Sequence, residues 1–85
     1  MTVTDRTTEL HTISTVRLWC RNGLARKIRE EASLTIREVA ELAQTDPQTL
    51  YRWERNERTP RGANALRYHR ALVQLQEITR RASLP

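Results

Sequence analysis

The sequence has few of the residues that crosslink small folds or interrupt their helices, and these shortages exclude whole classes of protein. Its 85 residues include one Cys, two Gly, three Pro and no Phe. A single Cys cannot form an internal disulfide, and with only two His it cannot supply the four ligands of a structural zinc site. The core must therefore consist of apolar side chains alone. No arrangement of residues suggests catalysis, so we predict no enzymatic activity, no metal and no cofactor.

Long apolar runs are absent as well. No stretch of about 18 apolar residues could form a membrane-spanning helix. The first ten residues, MTVTDRTTEL, lack the basic start and apolar stretch of a signal peptide. We therefore expect a cytoplasmic protein with no membrane partner. A chain of this length buries about 64% of its surface on folding, which is enough for one modest core and one domain.

Basic residues outnumber acidic residues in the sequence. Fifteen Lys and Arg outnumber ten Asp and Glu, so the formal net charge is +5, and all but one of the basic residues are Arg. This balance favours an anionic partner, with nucleic acid as the first candidate. Most of the excess lies in residues 61–85, which carry five basic residues and one acidic residue. The arrangement of side chains, rather than net charge, must therefore identify a binding site.

The N-terminal part of the chain differs in composition from the rest. Its first fifteen residues contain six Thr and few apolar residues, which predicts a flexible arm that cannot bury enough surface to become ordered. Residues 13–20, ISTVRLWC, alternate as a short strand would, but a helix beginning near Ser14 fits almost as well. Asn22 and Gly23 then form either a turn or a helix start. We assign residues 1–20 to this arm and uncertain element, and residues 21–85 to the main domain.

From residue 24 onward the apolar residues recur at helical spacing, which predicts an all-α, compact bundle of four main helices. The first helix covers about ten residues from Leu24. The second begins at Thr35, because Thr35 and Glu38 have the spacing of a capping box, and it runs to about Gln44.

The third and fourth helices have clear boundaries. Asp46 is a good N-cap, Pro47 suits the first helical position, and Asn56 tolerates the left-handed backbone that ends many helices. The third helix therefore covers residues 46–56. The last covers residues 63–82 without an interrupting residue.

One face of the third helix carries the side chains that matter for function. At about 100° per residue the polar residues cluster on one side and the apolar Leu50 and Trp53 on the other. The polar set comprises Gln48, Tyr51, Arg52 and Arg55. An amide and guanidiniums match the base edges of the major groove, and a phenol can bond a phosphate. Two helices joined by a tight turn, the second with such a face, describe a helix-turn-helix unit.

Residues 34–60, LTIREVAELAQTDPQTLYRWERNERTP, resemble the helix-turn-helix domain of lambda-repressor-like, Cro/Xre-type transcription regulators. The resemblance covers roughly residues 21–72, and TLYRWERNERTP is its most specific part. It implies a sequence-specific regulator of transcription that binds double-stranded DNA in the major groove. The size of the chain resembles that of small Cro-like phage repressors, which suggests a phage-encoded repressor controlled by its concentration and by operator arrangement.

The resemblance also implies roles for individual residues. It pairs Arg29 with Glu54 in a buried salt bridge. It makes the exposed recognition-helix residues base readers, namely Gln48, Thr49, Tyr51 and Arg52. Contacts to DNA phosphates are expected at Thr35, Arg37, Pro47, Arg55, Arg58 and Arg61.

The sequence departs from the family pattern at two turns. Gln44 and Asn56 stand where the family usually has Gly. Gln44 must therefore adopt a positive φ, or else the turn takes another path through Thr45 and Asp46. The family also ends in two short helices, whereas residues 63–82 imply one long helix.

That long helix predicts a partner. It would span about 30 Å, more than a core of this size needs. We expect a homodimer that forms through its distal apolar residues, Leu72, Leu75 and Ile78. The alternative is that this stripe folds back on the N-terminal segment around Val16, Leu18 and Trp19.

Two other functions remain open at this point. Excisionases, small recombination directionality factors, often contain a stretch similar to EVAELAQTDPQTLYRW, but their basic β-hairpin wing is absent because residues 63–82 predict a helix. A DNA-binding antitoxin or a protein-interaction module would dock a protein on the basic face or on the last helix. No small-molecule ligand is expected.

Overall fold

A computed structural model describes residues 2–84, with the side chains of residues 5–84. This part of the chain folds into five α-helices and contains no strand. The helices are α1 (Thr2–Arg21), α2 (Leu24–Glu31), α3 (Ile36–Ala43), α4 (Pro47–Glu54) and α5 (Gly62–Ala82). The predicted all-α class and the single long C-terminal helix are confirmed.

The N-terminal helix α1 corrects the expectation for this part of the chain. Residues 2–21 are helical, where the sequence predicted a loose arm followed by an element of undecided type. Ile13, Val16 and Cys20 lie on one face of α1 and are buried, and α1 packs mainly on α5. Tertiary packing therefore stabilises a helix that its Thr-rich composition does not favour, as helix propensity is readily overridden by burial.

Local hydrogen bonds cap both ends of α3. At the start of α3 the Thr35 hydroxyl accepts a hydrogen bond from Glu38 N at 3.1 Å, while Thr35 N donates to Glu38 Oε1 at 2.9 Å. This is the predicted capping box. At the other end Gln44 adopts φ 59°, the first of the two alternatives for this turn. Gln44 N and Thr45 N donate to the Glu41 and Ala40 carbonyls, which is a Schellman motif completed without glycine.

The core lies where α5 packs against α1, α2 and α3. Tyr68 is fully buried, and its ring lies 4.9 Å from that of Trp53, so that α4 is joined to the centre of α5. Leu72 and Leu75 are both 0% exposed within the single chain.

The burial of Leu72 and Leu75 corrects their assignment to a dimer interface, because α5 packs on α1, α2 and α3 of the same chain and this stripe is buried there. This is the alternative in which α5 folds back on the N-terminal segment. Ile78, the third predicted dimer residue, remains 54% exposed.

One long-range hydrogen bond fixes α1 to the loop before α5. Arg17 Nε donates to the carbonyl oxygen of Pro60 at 3.0 Å, across 43 positions of sequence. Pro60 itself is fully buried. The position of the basic loop around Pro60 therefore depends on α1.

Near this end of α1 the rings of Trp19 and His69 stack, with centroids 5.2 Å apart. Partial burial of the imidazole, and then the charge of His11, lower the pKa of His69 from 6.5. Because the folded state disfavours the protonated form, His69 contributes stability that is present above about pH 6.5 and is lost as the pH falls through the lowered pKa.

We therefore expect the free energy of unfolding to decrease between pH 7.5 and pH 5, and His69→Gln to flatten that dependence. Urea unfolding followed across this range measures both effects. His11→Gln is the matched control and should keep most of the slope. An unchanged slope in His69→Gln would contradict the assignment.

Candidate nucleic-acid interface

The start of α4 is held rigidly by its cap. Asp46 Oδ1 accepts a hydrogen bond from Thr49 N at 2.8 Å, and Asp46 Oδ2 accepts one from the Thr49 hydroxyl at 2.8 Å. These bonds lower the pKa of Asp46, so the cap is ionised near neutral pH. Pro47 occupies the first helical position, as the sequence predicted. The first turn of α4 is therefore well fixed relative to the rest of the helix-turn-helix unit.

The two sides of α4 differ sharply in exposure. Leu50, Trp53 and Glu54 are buried. The opposite face is exposed to solvent and contains Gln48, Tyr51, Arg52 and Arg55. Among the described residues, the side chains of Gln48 and Arg52 have no hydrogen-bonding or ionic partner. They are free to bond an external ligand.

The C-terminal part of this face, with Tyr51 and Arg55, already makes contacts within the chain. The guanidinium carbon of Arg55 lies 5.3 Å from the centroid of the Tyr51 ring, which is a cation–π arrangement. Arg55 Nε also lies 2.8 Å from Glu57 Oε2. The hydrogen bond to Glu57 raises the pKa of Arg55. A phosphate contact by Arg55 therefore requires it to leave Glu57 or to share its donors.

Beside α4 the basic loop forms one wall of a polar cleft of about 760 Å³. Arg58 and Arg61 line this cleft together with Thr49 and Trp53 of α4. Arg58 and Arg61 are exposed, and among the described residues neither side chain has an ionic partner. The structure thus brings two of the predicted phosphate contacts next to the predicted base-reading helix.

Comparison with known protein families identifies the helix-turn-helix segment. Residues 26–72, more than half of the chain, match the helix-turn-helix family model of the Cro/C1 type. The chain belongs to this helix-turn-helix family. It is accordingly a lambda-repressor-like, DNA-binding transcription regulator, and the domain of this family is not an enzyme. No curated protein and no solved structure matches the chain.

The family match begins within α2 and ends within α5. Helix α1 and the last ten residues of α5, residues 73–82, therefore lie outside the helix-turn-helix segment. Helix α1 packs on α5, and its Trp19 ring stacks on His69 inside the matched segment. Helix α1 extends the core of the family fold, and through the Arg17 bond to Pro60 it supports one side of the cleft.

A buried ion pair joins α2 to α4 in the core of the helix-turn-helix domain. Arg29 Nε and Nη2 donate to Glu54 Oε2 and Oε1 at 2.5 and 3.0 Å. Arg29 Nη1 also donates to the Leu34 carbonyl at 3.0 Å. The side chains are 12% and 4% exposed. The hydrogen bond to Glu54 raises the pKa of Arg29, so the guanidinium stays charged. It holds the buried side of the recognition helix against α2.

The remaining predicted DNA contacts are Thr35, Thr49, Pro47 and Arg37. The hydroxyl of Thr35 donates to Glu38 and that of Thr49 donates to Asp46, so both hydroxyl hydrogens are used within the chain. Pro47 is half-buried at one edge of α4. Arg37 is exposed on α3 but does not line the cleft.

Several residues near the interface were missed by the sequence interpretation. Thr45, Thr59 and Asn64 line the cleft, and Glu57 lines it as well and pairs with Arg55. The pattern of the sequence does show the alternation of Arg and Glu in RNER, but it cannot show which side chains meet across a helix end.

Other kinds of site find no support in the described part of the chain. Burial raises the pKa of Cys20 to about 12, and the nearby Glu54 carboxylate adds to the shift, so this thiol is not activated as a nucleophile. Among residues 2–84 no group of His, Cys, Asp or Glu could hold a metal ion. No helix there has the length and apolar character to cross a membrane.

Proposed function

We propose that this helix-turn-helix protein is a sequence-specific, Cro-like repressor that inserts α4 into the major groove of double-stranded DNA. The observation that carries the proposal is the division of α4. Its buried side is fixed by Trp53 and by the Arg29–Glu54 pair, while Gln48 and Arg52 project from the exposed side without described partners. A rigid helix with free amide and guanidinium groups is suited to reading base edges.

Each polar group on this surface has a defined part in the proposal. Arg52 pairs with the O6 and N7 acceptors of guanine, and Gln48 with the N7 and N6 groups of adenine. Tyr51 and Thr49 contact neighbouring bases. Arg37, Arg58 and Arg61 bind phosphates, which fix the position of the protein and make its affinity depend on salt.

We further propose that two copies bind DNA as a homodimer, since paired recognition helices about 34 to 36 Å apart would read a two-fold symmetric operator. The interface cannot use Leu72 or Leu75, which lie in the core. Val73 and Ile78 are the large apolar residues of α5 that stay exposed. The interface is therefore expected on the outer side of α5.

The helical course of residues 62–82 supports the repressor over the excisionase alternative. Helix α5 occupies the place after the recognition helix where an excisionase would have its basic β-hairpin. The exposed face of α4 favours DNA over a protein partner, because its groups are polar and cationic rather than apolar.

Salt-dependent binding to a duplex of random sequence tests the DNA-binding part of the proposal. Three phosphate-binding arginines per chain predict that log affinity falls against log salt with a slope of about −3 for each bound chain. The double variant Arg58→Gln/Arg61→Gln should make that slope shallower by about 2. Fluorescence anisotropy at salt concentrations between about 50 and 200 mM measures the slope in both proteins. A flat slope in the wild type would refute DNA binding.

Selection of bound sequences from a randomised duplex pool tests the remaining parts. A two-fold symmetric consensus is expected if the protein reads DNA as a dimer. An asymmetric consensus would remove the dimer and keep sequence-specific binding. The absence of any consensus would refute sequence-specific repression.

A further inference from the structure

Glu57 is an exception among the acidic residues at the DNA-facing end of the molecule. Between residues 44 and 61 there are three acidic side chains. Asp46 caps α4, and Glu54 is buried against Arg29. Glu57 performs neither task. It is about half exposed, and it lies within a segment whose other exposed charges, apart from the capping Asp46, are all arginines, three of which the proposed function directs to DNA.

The backbone of Glu57 is held in place by the end of α4. Asn56 adopts φ 58° and its N–H donates to the Trp53 carbonyl at 3.0 Å, while Glu57 N donates to the Arg52 carbonyl at 2.9 Å. These two bonds form a Schellman motif, with Asn56 in the left-handed position. The motif places Glu57 at a fixed distance from the last turn of α4. Its carboxylate therefore meets Arg55 as a consequence of helix termination rather than through a flexible loop.

Arg55 is consequently held from two directions. Glu57 Oε2 accepts a hydrogen bond from Arg55 Nε at 2.8 Å, and the Tyr51 ring lies 5.3 Å from the guanidinium carbon. The pair has no net charge, and the guanidinium lies against the ring. In this arrangement Arg55 offers less charge to a phosphate, and the Glu57 carboxylate repels one.

We propose that Glu57 is a specificity-determining residue, which restrains Arg55 and thereby weakens binding to random DNA more than binding to the operator. The inference rests on the proposed function. Random DNA is bound almost entirely through phosphates, so a released Arg55 would find a phosphate partner there. At the operator, base contacts by Gln48 and Arg52 fix the position of α4, and a released Arg55 gains less.

The test is Glu57→Gln, which keeps the size of the side chain and removes its charge. On random duplex we expect binding to tighten on the order of fivefold, as for a surface ion pair exchanged for a new contact. The slope of log affinity against log salt should become more negative by about 0.9 per chain. Operator affinity, measured on the selected consensus, should change less, so that the ratio of the two affinities falls.

Two further variants separate this role from a general change in charge. Glu57→Gln/Arg55→Gln should lose the steeper slope, because the effect acts through Arg55. Glu30→Gln removes one carboxylate from a comparably exposed pair on α2, in which Arg26 Nε lies 3.1 Å from Glu30 Oε2, and it should not alter the affinity ratio. Thermal unfolding of each variant should stay close to that of the wild type.

The outcomes distinguish the inference from the proposed function. If the wild type binds no duplex, the proposed function fails and the inference fails with it. If the wild type binds with the expected salt dependence, the inference alone is overturned by any of three results. These are an unchanged slope in Glu57→Gln, an equal change on operator and random DNA, and a steeper slope that persists without Arg55.

Discussion

Glu54→Gln should lower the free energy of unfolding by about 3 kcal/mol, because it leaves the Arg29 guanidinium in the core without its counter-charge. Removal of one partner from a buried ion pair typically costs about 3 to 5 kcal/mol. The lower end applies here, since Arg29 is still 12% exposed and keeps its hydrogen bond to the Leu34 carbonyl. A domain of this size has only about 5 to 15 kcal/mol of stability in total, so the loss is severe.

Urea and thermal unfolding followed by circular dichroism measure this effect. A loss of about 3 kcal/mol corresponds to a fall in melting temperature of roughly 12 to 24 °C for a domain of this length. Glu57→Gln is the matched control, because it removes a carboxylate from an exposed pair with Arg55 and should leave the melting temperature close to that of the wild type.

A double variant tests whether the cost comes from the stranded charge. Arg29→Met/Glu54→Leu replaces the pair with apolar groups of similar size and should recover much of the lost stability, as buried ion pairs often tolerate this exchange. If Glu54→Gln unfolds at the wild-type midpoint, the pair does not stabilise the packing of α2 on α4.

The helices of the family segment could be predicted from sequence because their ends are determined locally. The capping box at Thr35 and the Asp46–Pro47 start each involve residues within one helical turn, and the structure has both where they were predicted. The left-handed Asn56 is likewise a local property. Short-range hydrogen bonds of this kind leave a pattern in the sequence that requires no knowledge of the tertiary structure.

Helix α1 shows what local patterns cannot provide. Its Thr-rich start disfavours a helix, and Val16, Leu18 and Cys20 alternate with Arg17 and Trp19 as they would in a strand. The structure buries Val16 and exposes Leu18, which only the position of α5 decides. The same contact explains the error about Leu72 and Leu75. An apolar stripe indicates that something covers it, but not whether the cover is another chain or a distant part of the same one.

The candidate site was likewise only partly predictable from the sequence. Helical periodicity was sufficient to separate the exposed Gln48 and Arg52 from the buried Leu50 and Trp53. It could not show that Arg55 is paired with Glu57 and Tyr51, because that depends on how the chain leaves α4. The exposure of a helical residue follows from the rotation of about 100° per residue. Pairing between the side chains of Arg55 and Glu57 depends instead on the path of the backbone at the turn that ends α4.

Arg52 is the residue of the exposed face whose loss should change DNA recognition most. Arg52→Ala should weaken binding to the selected operator by about 5- to 150-fold, which corresponds to the roughly 1 to 3 kcal/mol that a bidentate contact to guanine provides. Binding to random duplex should weaken only a few-fold. Because Arg52 is exposed and its side chain has no partner among the described residues, the melting temperature should hardly change.

The measurement compares affinities for the operator and for a panel of its single-base variants. In Arg52→Ala the preference should disappear at one or two adjacent base pairs and persist elsewhere, since each side chain reads only nearby base edges. Arg80→Ala is the control. It removes another exposed arginine at the far end of α5, about 27 Å along the helix axis from Gly62, and should leave both affinities within a few-fold of the wild type.

The result that would exclude Arg52 from base reading is an equal loss of affinity on operator and random DNA. Arg52 would then be a phosphate contact, and its removal would make the salt slope shallower by about 0.9 without changing the consensus. Sequence preference would in that case rest on Gln48, the other exposed polar side chain of α4 that has no described partner. Gln48→Ala would then be expected to abolish the consensus, whereas with Arg52 reading a base it should remove the preference at only part of each half-site.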